Sequence, residues 1–545
     1  MTFFRKKILP VLIWFGLANL FYYFMLPPIN PRSGDFWFFL IFNIVILALL
    51  IFLFNRKKFN FKVSVPLDGY SVNISKIGKK TKRIIIIASS VIIIFIAILV
   101  VSSSTLFRAE AYMKQLTVTE SDFNTDIAEI PFSKIPVVDK SIAQRLGTRK
   151  IGEVVDLVSQ FNVSGYYSQI NYNDVPTRVS PLEYADVFKW MFNQKEGIPY
   201  YVRIDMATQN TELVELENGM KYSPSECFNR NLLRYLRYKY PTKMFKETNF
   251  EIDENGNPYW IVSVYTYKIG LVGGTDISGI ITVNAVTGEH KYMDVKDVPE
   301  WIDRVYSADI VLAQAHNWGR FKSGFLNSIV GQKGVISTTE GYSYLALEND
   351  VWLYTGLTSV SLDESNIGFI LVNLRTKEAR TYSINGAEEY SAMDSAEGKV
   401  QEKGYDATFP ILINLANQPT YFMSLKDNAG LVKSYAFVSV LNYQVVGVGE
   451  TLEKAQADYI SLLGKEQIET DTPDVLETAG SVTFLSSAVK DGNTYYYIKL
   501  GSGEGLFIAS IKVSSFLPTL AVGDKIEISY KGMDDGTKEI VEITG

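Results

Sequence analysis

Arg230, Arg234 and Arg237 fall at helical spacing, with Lys239 just beyond, in a chain of formal net charge −6. A row of cationic groups on one helix face is chemistry for anions. One reading has them contact anionic phospholipid headgroups or teichoic-acid-like wall polymers; the preferred one is a solvated face paired with local carboxylates. Other reactive material is thin. The two histidines, His290 and His316, fall on different expected elements, leaving little for a histidine-rich metal site or a Ser-His-Asp arrangement. Cys227 is the single cysteine, so neither an intrachain disulfide nor a cysteine metal cluster is expected. Gly447-Val448-Gly449 has Leu452 where a dinucleotide loop needs its third glycine, and reads as a strand-to-helix turn. Asp253–Asn257 places its glycine at the wrong step for a calcium loop and reads as an Asn-Gly hairpin. Carboxylate pairs such as Glu388 with Glu389, or Asp205 with Glu212, could serve glycan hydrolysis but have almost no specificity. No catalytic residue, metal ligand or cofactor is assigned.

The elements that must position these residues begin with three apolar runs, Ile8–Leu26, Phe36–Phe54 and Ile84–Val101, none containing Asp, Glu, Lys or Arg. Each is about the length a helix needs to cross a ~30 Å hydrocarbon layer. They predict a transmembrane anchor over residues 1–108, with spans at about 8–26, 36–54 and 84–104. Arg5, Lys6 and Lys7 precede the first run, and the loop 55–83 carries nine Lys and Arg between Arg56 and Arg83. Short basic loops stay in the cytoplasm, so the N-terminus is expected inside and everything beyond the third span outside. No small-residue cleavage site follows the first run, which is therefore expected to be retained. The acidic balance, with a pI near 5.4, argues against a nucleic-acid partner.

About 437 residues follow residue 108, too many for one core. Short alternating runs rich in Tyr, Phe, Val and Ile predict antiparallel sheets with covering helices. An internal repeat runs through them. Asp205 with Thr208, Asn284 with Thr287, and Asn373 with Thr376 each close an alternating strand and open a turn in which the Asx side chain can take backbone amides. Ser180-Pro181-Leu182-Glu183 and Ser223-Pro224-Ser225-Glu226 read as helix starts, with Ser at the N-cap, Pro first and Glu third. The first predicted helix runs through Tyr184, Val187, Phe188 and Met191, the second through Phe228, Leu232 and Leu236. A third is expected from Pro299-Glu300 through Trp301, Val305 and Ile310.

The second unit, with a capped helix, Tyr259-Trp260-Ile261-Val262 and Gly279–Glu289 closing in Val283-Asn284-Ala285-Val286-Thr287-Gly288, resembles a PepSY-type module of bacterial envelope proteins. The first and third copies have Gln209 and Lys377 where that pattern has glycine. The whole chain resembles uncharacterised membrane-anchored envelope proteins of Gram-positive bacteria. The resemblance implies a binding, inhibitory or regulatory module outside the membrane and supplies no catalytic residue.

The expected fold is therefore α+β: a three-helix transmembrane anchor, tandem antiparallel-sheet-plus-helix modules, and a small C-terminal β-barrel. The expected divisions are a first module at 109–220, the PepSY-like module at 221–300, a helical segment and further module at 301–465, and an OB- or SH3-like barrel at 480–545. The functional expectation is a non-enzymatic, membrane-anchored binding or regulatory protein of the envelope. Its expected partners are the lipid bilayer and another envelope or membrane protein or an anionic wall polymer, with no nucleic acid. The alternatives are a subunit of an integral-membrane complex, and a wall-glycan hydrolase using paired carboxylates.

Overall fold

The computed structural model describes residues 8–55, 79–131, 134–359, 365–470, 476–490, 493–501, 505–511, 513–514, 516–532 and 537–544. Arg5–Lys7 and the greater part of the basic loop lie outside these residues. Contacts divide the chain into two units, 1–459 and 460–545.

The first unit opens on three apolar helices, α1 (Leu9–Met25), α2 (Gly34–Asn55) and α3 (Lys79–Ser103). Among the described residues two stretches are long and apolar enough to cross a membrane, Gly34–Ile51 and Ile94–Met113. Of the three expected spans, those at about 36–54 and 84–104 overlap these two stretches; the first overlaps α1, whose 17 residues cover about 25 Å, short of a ~30 Å layer. Phe21 of α1 packs on Phe39 and Phe42 of α2, and the Trp14 indole N–H donates to the Asn43 carbonyl at 2.9 Å. The C-terminal ends of α1 and α3 and the segment leading into α2 meet the rest of the unit. The Ile29 N–H donates to the Pro241 carbonyl at 2.7 Å, Arg32 to the Tyr267 carbonyl at 3.2 Å, and the Ser103 hydroxyl accepts the amides of Leu271 and Val272.

Four antiparallel meanders follow, each of four strands paired in chain order. The first is β1 (Ser168–Tyr172), β2 (Val175–Tyr184), β3 (Ile198–Asp205) and β4 (Thr211–Met220). The second is β5 (Met244–Ile252), β6 (Pro258–Ile269), β7 (Gly273–Asn284) and β8 (His290–Asp294). The third is β9 (Ser343–Leu347), β10 (Asp350–Ser359), β11 (Ser365–Asn373) and β12 (Ala379–Tyr382). The fourth is β13 (Ile411–Leu415), β14 (Gln418–Lys426), β15 (Val432–Ser439) and β16 (Val446–Gly449). Helix α4 (Lys140–Gly152) precedes the first meander, which carries α5 (Val187–Asn193) between β2 and β3. Helices α6 (Leu232–Lys239), α7 (Ala308–Arg320) and α8 (Glu389–Lys399) precede the other three, and α9 (Leu452–Thr470) follows the last.

One turn recurs between the third and fourth strands. The Asp205, Asn284 and Asn373 side-chain oxygens each accept the amides two and three residues on, at 2.8–3.0 Å. The hydroxyls of Thr208, Thr287 and Thr376 each accept the amide two residues further, at 3.2–3.3 Å. Backbone bonds extend the equivalence. Met206, Ala285 and Leu374 donate to the carbonyls of Pro176, Pro258 and Val351, and their own carbonyls accept from the segment entering the module, at Val137, at Lys221 and Tyr222, and at Val305 and Tyr306. Val440 does the same, donating to Pro419 and accepting from Ala387. It marks a fourth copy, with Ser439 at the Asx position.

Gly288 adopts φ +76°, and Gln209 and Lys377 hold the equivalent positions at +63° and +65°. Those two side chains leave their own sheets. The Gln209 amide donates to the Tyr435 hydroxyl on β15, and the Lys377 ammonium pairs with Asp276 on β7 at 2.9 Å. Cross-sheet bonds thus stand where the glycine of the second copy stands, and Gly288 packs under the Tyr222 ring.

The meanders close a cycle. The first packs on the second through Tyr201 and Phe250, with the Ser168 hydroxyl accepting the Phe250 amide. The second and third share one core, Ile261 and Ile280 against Leu353 and Ile370, with Ile310 and Val311 of α7. Trp352 and Phe369 join Tyr421 and Met423 across α8 in another. The cycle shuts between fourth and first, where the Ser424 hydroxyl donates to the Val137 carbonyl and Lys426 pairs with Asp139 at the start of α4. Meanders set around a common centre are the plan of a small β-propeller, here with helices in the wedges.

Three expected helix starts are corrected. Ser180 and Pro181 lie within β2, where the Ser180 hydroxyl donates to the buried Ser164 carbonyl; cross-strand pairing with Val202 and Tyr201 overrides the local capping pattern. The helix begins at Val187, capped by Asp186. Ser223 forms a bridge with Asn231, and Asn231 caps α6 instead. Trp301 and Val305 precede α7, which starts at Ala308. Tertiary pairing decided all three.

In the second unit, β17 (Leu476–Lys490), β18 (Asn493–Leu500), β19 (Phe507–Ser510), β20 (Lys525–Gly532) and β21 (Lys538–Thr544) close a five-strand barrel. Val482, Ile498, Phe507, Ile526 and Ile540 fill it. Strand β19 pairs parallel with β21, so the barrel is not a simple meander.

Candidate functional site

A cavity of about 1140 Å³ sits where the first strands of the four meanders begin. Ser168 and Gln169 open β1, Phe245 to Asn249 lie on β5, Ser343 and Tyr344 open β9, and Phe409 stands just before β13. One module alone could not build it.

Three deeply buried arginines stand in its wall, Arg237, Arg304 and Arg178, at 5 %, 7 % and 8 % exposed. Arg178 projects from β2; its Nε donates to the Val138 carbonyl at 3.1 Å and its Nη2 to Gln169 Oε1 at 3.3 Å. Burial, with a further contribution from nearby Arg304, pushes its guanidinium down to about 10 despite Asp139. Arg304, in the segment before α7, stacks over the Tyr344 ring at 4.3 Å and donates from Nη2 to the Tyr344 hydroxyl at 2.9 Å. Its Nε and Nη1 have no acceptor, nor does Gln169 Nε2. Burial alone would lower Arg304, but Tyr344, Glu247 and Glu251 together raise it above its ordinary value.

Behind Arg304 lies an acidic pair. Glu251 accepts the amides of Asp303 and Arg304 at 3.0 and 3.1 Å, and Asp303 accepts the Asn171 amide at 2.7 Å. Burial pushes Glu251 up to about 7, and burial with the Glu251 charge raises Asp303 well above the usual carboxylate range. Two half-buried acids line the cavity. Asp139 caps α4 and holds Lys426; burial raises it, but the Ile142 amide and then Lys426 keep it below its usual range. Glu247 is raised by burial in spite of Arg304 and Lys246. Lys246 is taken by Asp309 at 2.6 Å.

The expected basic stripe is not one exposed row. Arg230 lies in a short 3-10 turn before α6 because Asn231 breaks the helix; it donates to the Gln194 carbonyl at 2.8 Å and lies 3.9 Å from the buried Glu226 carboxylate. Arg234 donates to the carbonyls of Phe228 and Tyr23 and stacks on the Tyr23 ring at 4.1 Å. Arg237 is 5 % exposed and donates to the Leu26 and Lys243 carbonyls at 2.9 and 2.6 Å; burial holds it below its ordinary range. Lys239 sits over the Tyr235 ring at 5.7 Å. Arg234 and Arg237 thus grip the last carbonyls of α1, where cations complement the helix dipole. Through Phe24, Met25 and Leu26 that same helix end forms part of the cavity wall.

The proposed carboxylate pairs do not converge on the cavity. Asp205 is spent in its turn, Glu212 pairs with Arg203 at 2.6 Å, and Glu389 is buried beside Asn366. Among the described residues no cluster of His, Cys, Asp and Glu could hold a metal ion. Sequence reasoning missed Arg178, Glu247, Arg304 and Tyr344. One signal was available: Glu247, Asn249 and Glu251 alternate on β5, giving one polar side to a strand deep in the fold.

No known protein family matches the chain, and no curated protein does. Among solved structures it is similar to an exo-1,5-alpha-L-arabinanase from a bovine ruminal metagenomic library, at 10% identity over 70% of this chain and 98% of that one, with a TM-score of 0.15. An alpha-L-arabinofuranosidase from Lactobacillus brevis gives 7% identity over 70% and 95%, with a TM-score of 0.15. A structure described as structural mimicry for functional antagonism gives 12% identity over 26% of this chain and 88% of that one, with a TM-score of 0.11. Similarities at this level carry no argument about fold or activity.

Proposed function

We propose that this is a membrane-anchored binding protein of the cell envelope, its body outside the membrane and its ligand held in the cavity at the centre of the four meanders. The single observation that carries the reading is the cavity itself: all four modules contribute to it, and three deeply buried arginines, Arg178, Arg237 and Arg304, line it with no carboxylate ion pair among the described residues. The Lys and Arg residues flanking the apolar helices support an orientation with the N-terminus and the loop 55–83 in the cytoplasm. In this reading α1 serves as a third, shorter span, and the turns repeated from module to module belong to a PepSY-like, non-catalytic scaffold. The terminal barrel is of the OB kind.

Hydrolysis by two carboxylates is the weaker reading, since Asp139 is committed to its cap and to Lys426, leaving Glu247 alone at the wall. A photo-crosslinking residue replacing Tyr342 at the cavity, and another replacing exposed Lys399 on α8, test the proposal in living cells. A discrete adduct at position 342 and none at 399 is expected. Equal adducts at both, or none at 342, would overturn it.

A further inference from the structure

The cavity brings together two features that rarely share a wall. On one side are the side chains of Arg178, Arg304 and Gln169, of which Arg304 Nε and Nη1 and Gln169 Nε2 are buried with no acceptor among the described residues. An unpaired buried donor is costly, so a small shift of these side chains toward an occupant that supplies oxygens is favoured. Charge points the same way. Arg178 and Arg304 are opposed at the wall by Glu247 and by Asp139, which is itself paired with Lys426, while the acids behind them, Glu251 and Asp303, are shifted toward their neutral forms. On the other side is the end of an apolar helix. Phe24, Met25 and Leu26 line the cavity beside Leu233 and Phe245, and Leu233 is 42% exposed.

We propose that the cavity binds a lipid-borne phosphate monoester, with the phosphate between Arg178 and Arg304 and the acyl tail leaving past Phe24, Leu26 and Leu233 along α1 toward the bilayer. The inference rests on the reading of the chain as an envelope binding protein and adds the class of ligand. A phosphate suits the site better than a carboxylate. Its three terminal oxygens match donors arriving from several directions, and guanidinium forks bind it in two-point fashion. The tail explains why a membrane helix helps to form the wall of a polar cavity. Arg237, held on the Leu26 carbonyl, fixes the helix end at that rim.

The test uses the full chain in neutral detergent, with binding read by native mass spectrometry. The probes are dihexanoyl phosphatidic acid, dihexanoyl phosphatidylcholine and inorganic phosphate. One molecule of phosphatidic acid per chain is expected, bound at least tenfold more tightly than either other probe. Arg304→Lys, which keeps the charge and removes the fork, is expected to lose at least tenfold of that affinity. Equal binding of phosphatidylcholine would exclude recognition of the monoester, and equal binding of inorganic phosphate would exclude the lipid source. Undiminished affinity in a folded Arg304→Lys protein would exclude the site. If that variant does not fold, the ranking of the three probes on the unaltered chain decides. Failure of the ligand assignment leaves the envelope reading standing if the cavity is reached from outside the cell. A cavity reached only from the cytoplasm removes that reading whatever the lipid result.

Discussion

Glu226 illustrates how a single buried side chain organises its neighbours. Its two oxygens accept the Tyr184 phenol and the Trp190 indole, each at 2.8 Å, and Arg230 approaches at 3.9 Å. The sequence offers Glu226 as a capping-box acid, and only the fold redirects it. Glu226→Ala leaves two buried donors without an acceptor, costing about 1–3 kcal/mol for each. Glu226→Gln should cost less, because the tyrosine hydroxyl can turn to accept from the amide while the indole cannot. Unfolding midpoints in detergent, followed by tryptophan fluorescence, should rank the original chain above Glu226→Gln and that above Glu226→Ala. Glu251 gives a pH signature instead. An unfolded glutamate loses its proton near pH 4.5, whereas folded Glu251 keeps it to about 7. Its contribution to stability is therefore complete below about 4.5 and is lost as the pH rises through about 7. Glu251→Gln does not titrate, so its midpoint should fall less than the parent's between those values. Parallel curves would contradict this account of the buried acid.

At the scale of elements, the repeated Asx turn is where the sequence spoke most clearly. Asp205, Asn284 and Asn373 with their threonines mark three copies because one side chain must satisfy two amides, and few residue types can. The fourth copy was hidden: Ser439 replaces the Asx, and its amide bonds to Val445, one step further than the Asp205 amide reaches to Asn210. Its equivalence lies in backbone bonds made by Val440, which no side chain advertises. Asn284→Ala should destabilise the chain by about 0.5–2 kcal/mol through loss of the two amide contacts, as at helix caps. Asn284→Asp, which restores the residue of the first copy, should be nearly neutral; equal losses in thermal midpoint would sink the explanation. The β2 segment shows the opposite case. Ser180-Pro181-Leu182-Glu183 carries a complete helix-start pattern, yet Val179 and Leu182 are buried in a strand paired on both sides. Local signals lost to the energy of sheet pairing.

For the whole molecule, the apolar helices, the sheets and the closed barrel were legible because each depends on hydrophobic pattern and turn chemistry within a short window. The cavity was not. Gln169, Arg178, Glu247, Arg304 and Tyr344 are scattered over three modules, and only the cyclic packing of those modules brings them to one wall. The same packing joins the cavity to the end of α1, so the place of the body relative to the membrane decides what can reach it. Tyr342 lines the cavity and is 40% exposed, which makes it the natural reporter. In a Cys227→Ser background, Tyr342→Cys should react with a membrane-impermeant maleimide on intact cells, with no gain on permeabilisation. Labelling only after the membrane is opened would place the cavity on the cytoplasmic side and contradict the account.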